Sequence, residues 1–282
     1  MTARKLFLIL VSIIAPIILT STLFVYEVDS TLTNPNFYIN GFEEANVFDR
    51  LPEAIGGQLS LMLDEEVNEL DEAELKDVIV SVLPPQWVKD NMTMIVNNLF
   101  DYLDGDVETI EGNIGLEELK PQMRNVLETD YPDKDADEIL EEIPDNIDLS
   151  EIVGEEGLSE IKNLNSLFND FRNLLYVLSI ILLVLMLLLA KGLAEKMRHF
   201  GSTLIVPGVS LTIASFVMGN IIGSITSNVE GEKLVSDVLN ILSGNFTGRL
   251  LLHGLLLLFL GIALIILSYF VSREHGQPDL TG

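Results

Sequence analysis

Four uninterrupted apolar runs constrain this chain more than any other feature. Each has the roughly 17 to 25 residues that a helix needs to cross about 30 Å of hydrocarbon. They are Leu6 to Tyr26, Leu174 to Ala190, Thr203 to Gly223 and Leu250 to Val271. The sequence therefore predicts a mainly α-helical protein with a four-helix transmembrane bundle, whose spans cover 6–26, 174–190, 203–223 and 250–271.

Basic residues beside the spans predict the orientation. Short cytoplasmic loops are enriched in Lys and Arg, so the segments that carry these residues are expected in the cytoplasm. The residues concerned are Arg4, Lys5, Lys191, Lys196 and Arg198. Residues 27–173 and the loop 224–249 then lie outside, and the tail 272–282 returns to the cytoplasm. We expect a multi-pass protein of the cell (plasma) membrane with both termini inside.

The first span, within residues 1–26, is expected to stay in place as a signal-anchor helix. The alternative is a cleaved signal peptide, because Arg4 and Lys5 resemble its charged start. However, the apolar run is longer than the roughly 7 to 15 residues of a signal-peptide core, and no small-x-small cleavage site precedes Glu27.

The negative charge is concentrated in one segment. The formal net charge is -27, and 37 of the 43 acidic residues lie between Glu27 and Asp170, with only 7 of the 16 basic residues. A phosphate backbone requires a basic surface, so this segment is not expected to bind nucleic acid. Residues 27–173 are predicted to form an acidic extracytoplasmic domain inserted between spans 1 and 2. Because the chain has no cysteine, this domain must be stabilised by packing alone.

Apolar spacing predicts that this domain is mostly helical. Helices are expected at 71–83, 85–103, 122–129 and 136–142, with a short strand or extended arm at 107–114. No proline or glycine interrupts residues 158–191, so one helix should run from the domain into the second span. In the loop 224–249, an amphipathic helix is expected over 230–243, ending at Gly244.

Few residues suit catalysis. The three histidines, His199, His253 and His275, lie outside 27–173, which excludes a Ser-His-Asp triad, a Cys-His pair and a typical zinc site from that segment. Paired carboxylates can hydrolyse glycosides, but an acidic surface exposed to solvent is the preferred interpretation. Among the spans, His253 is the one ionisable candidate, interpreted as an interfacial histidine. We expect no enzyme activity, no catalytic residue and no cofactor.

Two short patterns are weak candidates for binding or packing. Asp133, Asp135 and Asp137 have the spacing of a calcium loop, but Glu138 replaces the glycine of that motif and Pro144 its last glutamate. Loosely bound divalent cations are therefore expected rather than a defined metal site.

In the third span, Ser215, Gly219 and Gly223 form a small-xxx-small face. Such a face predicts close helix packing, either inside the bundle or between copies of the chain.

Short sequence pieces carry a family resemblance. They are Thr31-Leu32-Thr33-Asn34-Pro35-Asn36-Phe37-Tyr38, Leu83-Pro84-Pro85-Gln86-Trp87, Ile143-Pro144-Asp145 and Ile147-Asp148-Leu149. With a signal-anchor span before them and three spans after them, they resemble uncharacterised prokaryotic four-span integral membrane proteins, of the kind found in Chloroflexi. The resemblance covers the layout of most of the chain and implies no activity, cofactor or catalytic residue.

The sequence favours a non-enzymatic membrane protein whose outer domain binds a partner or ligand, or scaffolds a membrane complex. The partner is expected to be a protein or another copy of the chain. The alternative is a transporter or channel component, and an extracytoplasmic carboxylate-dependent hydrolase comes third.

Overall fold

The computed structural model of this protein describes residues 3–63, 70–110, 113–148, 155–228 and 233–274. These residues form the helices α1 (Ala3–Thr31), α2 (Pro35–Glu44), α3 (Val47–Leu63), α4 (Glu72–Val82), α5 (Pro85–Asp104), α6 (Lys120–Asp130), α7 (Ala136–Glu142), α8 (Glu155–Leu189), α9 (Leu193–Asn228) and α10 (Lys233–Glu274), and the strands β1 (Asn113–Gly115) and β2 (Asn146–Asp148). Four helices, α1, α8, α9 and α10, are long and apolar enough to cross a membrane. The prediction of a mainly helical chain with four such helices is confirmed.

The chain divides into two compact units. The membrane unit comprises Met1–Asn34, Leu167–Gly231 and Leu239–Gly282, and the second unit comprises Pro35–Ser166 and Glu232–Val238. His275 and most of the predicted tail 272–282 lie outside the described residues.

The four long helices extend beyond the predicted spans. Helix α1 continues to Thr31, five residues past the expected end at Tyr26. Helix α8 is unbroken from Glu155 to Leu189, which agrees with the single helix expected from residue 158 into the second span. An apolar cluster joins α1 to α8 through Leu8, Val11, Ala15, Leu182 and Met186.

Helices α9 and α10 approach closely at glycines. A Cβ atom added to Gly208 would lie 2.6 Å from the backbone nitrogen of Leu258 and 2.9 Å from the carbonyl oxygen of Gly254. A Cβ atom added to Gly261 would lie 2.7 Å from the carbonyl oxygen of Gly201. These distances leave no room for a side chain, so glycine permits this backbone contact.

The membrane unit leaves large apolar side chains uncovered. Leu188, Tyr269 and Phe259 are 75%, 68% and 65% exposed. A soluble monomer rarely exposes a wide apolar surface, whereas a lipid-facing helix does so along its whole length. The apolar exposure and the length of these helices therefore both indicate that they cross a membrane.

The structure differs from the prediction at Gly244. The expected helix over 230–243 was to end there, but α10 continues through Gly244 to Glu274. Glycine ends a helix when it adopts a left-handed conformation, and among the described residues only Gly105 and Asn46 have a positive φ. A glycine inside a helix costs about 1 kcal/mol relative to alanine, which the apolar sequence after Gly244 outweighs.

The second unit has its own apolar core. Helices α3, α4, α6 and α7 supply most of it, and its most buried side chains are Leu75, Val78, Ile79, Met123, Leu127, Ile139 and Ile143. Helix α4 begins with a capping box in which Asp71 accepts from the backbone of Glu74 and Glu74 accepts from that of Asp71. Helix α5 begins at Pro85, as expected, and ends at Gly105 with φ 87°.

One strand pair was only half predicted. The extended segment expected at 107–114 contributes β1, which pairs antiparallel with β2, and Ile114 lies opposite Ile147. The partner strand was not predicted. Three residues are too few to show the alternation of a strand, so the sequence carries little signal for β2.

Helices α2 and α5 are joined by an aromatic contact and an ion pair. The rings of Tyr38 and Phe100 lie 5.5 Å apart, and burial raises the pKa of Tyr38. Lys89 pairs with Glu43. The hydrogen bond to Glu43 and its negative charge raise the pKa of Lys89.

Candidate functional site

A buried carboxylate is the most unusual feature of the membrane unit. Glu27 of α1 is only 2% exposed. Its Oε1 atom forms an ion-pair contact with Nδ1 of His253 on α10. Its Oε2 atom is buried and has no hydrogen-bond partner among the described residues. An ionisable side chain inside a membrane bundle is costly and therefore indicates a functional position.

Other polar side chains lie in the same half of the unit. Asp29 of α1 pairs with Arg172 of α8, and both side chains are 25% exposed. Thr31 is fully buried and donates to the backbone carbonyl of Glu27. Together these groups form a polar layer near the C-terminal end of α1, and we name it the Glu27 layer.

A buried pair of hydroxyl groups lies nearer the start of α1 than the Glu27 layer does. The Oγ1 atom of Thr22 and the Oγ atom of Ser179 on α8 are 2.6 Å apart, and both residues are buried. This pair satisfies two polar groups in the interior without any charge.

A second set of polar side chains lies near the start of α1. The Nε atom of Arg4 donates to the carbonyl oxygen of Leu189 at 2.7 Å, and its guanidinium lies 3.8 Å from Glu195. Ser12 lies 3.1 Å from Nδ1 of His199. From Ser12 to Thr22 is about 15 Å of helix.

An apolar cluster adjoins this second set of polar side chains. It consists of Leu8, Val11, Ala15, Leu182 and Met186. The described side chains therefore do not form a continuous polar path along α1.

The Glu27–His253 pair can hold a proton or a cation. A carboxylate and an imidazole in contact can pass a proton between them without changing the net charge of the pair. The unpaired Oε2 atom can accept a further hydrogen bond or contact a cation. Within the described residues, no group of three His, Cys, Asp or Glu side chains could hold a metal ion.

Sequence reasoning missed Glu27 because the predicted span ended one residue earlier. The buried stripe of α1, which includes Leu8, Val11, Ala15 and Thr22, does not point to it. At 100° per residue, Glu27 lies on a different face of α1, the face that His253 contacts. The one available signal was the four-residue spacing of Glu27 and Thr31. His253, interpreted as an interfacial histidine, is thus half of an ion pair.

The predicted small-residue face is buried at one end and exposed at the other. Ser215 is buried and donates to the carbonyl oxygen of Thr247 at 2.8 Å. Gly219 and Gly223 are exposed, and an added Cβ atom would meet nothing within 4 Å at either position. Packing at these two glycines stays a prediction for contact between copies. Inside the chain, the close approach uses the glycines of α9 and α10 described above.

The calcium candidates take other roles in the second unit. Asp135 is the N-cap of α7 and accepts from the backbone of Asp137 and Glu138. The carboxylate of Asp137 lies 2.6 Å from Arg124. Asp133 lies beside them at a shallow depression. Two of the three carboxylates are therefore already engaged by protein groups.

A wide groove runs along α6 and α7. It has a volume of about 1160 Å³ and an apolar floor that includes Leu140 and Ile143. Lys120 lies 2.6 Å from Asp145 on its wall. Arg124, the other basic side chain that lines the groove, lies 2.6 Å from Asp137. Both cationic side chains described in the groove are therefore paired with carboxylates.

Helix α8 presents an exposed apolar stripe. The side chains of Ile161, Leu164, Leu167 and Phe171 are 49%, 65%, 66% and 50% exposed. The membrane-compatible part of α8 has 33 residues, about 50 Å of helix, which exceeds the roughly 30 Å of a hydrocarbon core. If the last 20 residues before Leu189 fill the bilayer, the stripe lies mainly in the remaining turns.

No known protein family, curated protein or solved structure matches the chain. The resemblance to prokaryotic four-span proteins therefore stays a prediction.

Proposed function

We propose that this chain is a non-enzymatic integral membrane protein of the cell membrane. Its acidic segment 27–173 lies outside and binds a protein partner, or helps to scaffold a membrane complex. Both termini lie in the cytoplasm, as the positions of Arg4, Lys5 and Lys191 favour. Four apolar helices of membrane-crossing length support the multi-pass arrangement.

The exposed stripe of α8 carries this proposal. Leu164 and Leu167 are each about two-thirds exposed, in turns of α8 that a bilayer does not need to cover. Apolar side chains in contact with water favour association, because burial of each Leu contributes about 1.5–3 kcal/mol. A subunit of a complex would bury such a stripe against its partner.

Purification in mild detergent, followed by mass spectrometry, tests this function. The full chain is compared with the double variant Leu164→Ser and Leu167→Ser, and with the control Ser166→Asn. The control changes an exposed polar residue on another face of the same helix. We expect an assembly that the control retains and the double variant loses. Recovery of the chain as a monomer, with neither a second copy nor another protein bound, from several detergents, would overturn the proposal.

A second candidate function, a transporter component, is favoured by the Glu27–His253 pair. A buried carboxylate paired with histidine is typical of proton and ion pathways. The apolar cluster next to Ser12 opposes an open channel in this chain alone, so the role would be that of one component.

Proteoliposomes that contain the full chain test the second candidate. We expect proton or monovalent cation flux that falls in Glu27→Gln and is unchanged in Glu118→Gln, an exposed glutamate of the second unit. Equal flux in both variants would contradict a transport role for the pair, as would no flux in the unaltered chain.

A further inference from the structure

The exposed stripe of α8 has the spacing of a coiled-coil seam. Leu164, Leu167, Phe171 and Leu174 follow one another at intervals of three, four and three residues. Apolar residues at these intervals occupy the a and d positions of a heptad. Leu174 is 62% exposed, so all four side chains are available to a partner helix.

The same seven-residue repeat continues along α8. Ile181 and Leu188 follow Leu174 at intervals of seven residues and are also exposed. Glu160, seven residues before Leu167, is charged. The seam therefore begins near Leu164.

Membrane insertion restricts the geometry of a partner helix. Two copies of one membrane protein insert in the same orientation, so their α8 helices run parallel. Equivalent residues of two parallel helices can then face each other across a two-fold axis. A seam of this kind is complementary to itself without any offset.

Local charge favours a second copy over a basic partner. Residues 161–169 contain no Asp or Glu, although the segment around them is rich in acids. Asn163, next to Leu164 at the edge of the seam, is neutral. The one charged residue in 161–169 is Lys162. It donates a hydrogen bond to the carbonyl oxygen of Val107 and lies over the ring of Tyr102. Within the seam, residues 164–174, the one acidic residue is Asp170. Two copies can thus meet along residues 161–169 without facing carboxylates, and this stretch offers no carboxylate to a basic partner.

We infer that α8 pairs with α8 of a second copy as a short parallel coiled coil through Leu164, Leu167, Phe171 and Leu174. This inference rests on the proposed function, because it names the partner of the exposed stripe. The second copy buries the same four residues.

Disulfide crosslinking tests the pairing directly, because the chain has no cysteine of its own. Leu164→Cys and Leu167→Cys are introduced singly into the full chain and oxidised in native membranes. Facing core positions of a parallel pair bring the two Cα atoms near disulfide distance. We expect a product of twice the chain mass for both variants. The control Ser166→Cys, equally accessible but off the seam, should crosslink several times more slowly.

A second variant distinguishes specific pairing from crosslinking by random collision of two chains. Adding Leu174→Asn to Leu164→Cys should reduce the crosslinked product, because it puts a polar group in the seam ten residues away. Equal crosslinking at positions 164, 166 and 167 would overturn the pairing, and so would an unchanged yield with Leu174→Asn.

A photo-crosslinking residue at position 164 separates the two proposals. An adduct with a second copy supports the inferred pairing. An adduct with a different protein overturns the pairing but leaves the partner-binding function intact. No adduct of either kind counts against both.

Discussion

At the scale of single residues, Glu27 and His253 stand out because their environments do not match. Glu27 is almost completely buried, whereas the side chain of His253 is 43% exposed. Removing one partner of a buried ion pair leaves an uncompensated charge, but replacing both with apolar residues is often neutral. The pair should therefore show strong coupling between its two members.

A double-mutant cycle measures this coupling. His253→Leu leaves the Glu27 carboxylate without its partner and is expected to lower stability by about 1–3 kcal/mol. Glu27→Leu combined with His253→Leu removes the buried charge, so the double variant should lose less than the sum of the single variants. Thermal unfolding in detergent gives the three differences. Strictly additive losses would show that the two side chains do not interact.

The aspartates of the calcium-like motif lead to a different expectation. Asp135 caps α7 and Asp137 pairs with Arg124, so both would have to exchange these contacts for a metal. We expect about 1 mM calcium to raise the melting temperature no more than the same concentration of magnesium. A distinctly larger shift with calcium, lost in Asp133→Asn, would reveal a specific site.

At the scale of elements, helices α9 and α10 approach each other closely at their glycines. A methyl group at Gly208 would lie within 3 Å of three backbone atoms of α10. Backbone atoms cannot rotate away as a flexible side chain can, so the two helices would have to separate.

Gly208→Ala is therefore expected to destabilise the membrane unit by about 1–3 kcal/mol. Gly248→Ala, in the neighbouring helix α10, is the control, because its added methyl group meets nothing within 4 Å and alanine is the better helix former by about 1 kcal/mol. Melting temperatures of both variants in one detergent test the contrast. Equal losses for the two alanines would contradict the close approach of α9 and α10.

The capping box of α4 gives a prediction with a control at the same position. Asp71→Ala removes the side-chain acceptor and should cost about 1 kcal/mol, whereas Asp71→Asn keeps an effective cap. Both substitutions remove one negative charge, so the difference between them isolates the hydrogen bond. Thermal unfolding followed by circular dichroism of the full chain measures it. If alanine and asparagine behave alike, the cap contributes nothing.

Local signals in the sequence predicted most of the helices. They did not predict the contacts between residues far apart in the chain. The start of α5 at Pro85 follows from the conformational limits of proline. Gly244 was expected to end a helix but stays inside α10, because the chain on both sides is apolar and helix-forming. The Glu27–His253 contact depends on helix packing between residues more than 200 positions apart, which no local pattern encodes.

At the scale of the whole molecule, the proposed function depends on which side of the membrane each segment occupies. A protein partner for the acidic segment and parallel pairing of α8 both require that residues 27–173 share one side. The cytoplasm is expected on the side of Arg4 and Lys191, because loops rich in Lys and Arg stay inside.

Cysteine accessibility in intact cells tests this arrangement most directly. Asp106→Cys and Gly192→Cys, each exposed, provide unique thiols on the two predicted sides of a chain that has no cysteine. A membrane-impermeant maleimide should label Asp106→Cys in intact cells and Gly192→Cys only after permeabilisation. Labelling of Gly192→Cys in intact cells, with Asp106→Cys protected until permeabilisation, would contradict the account.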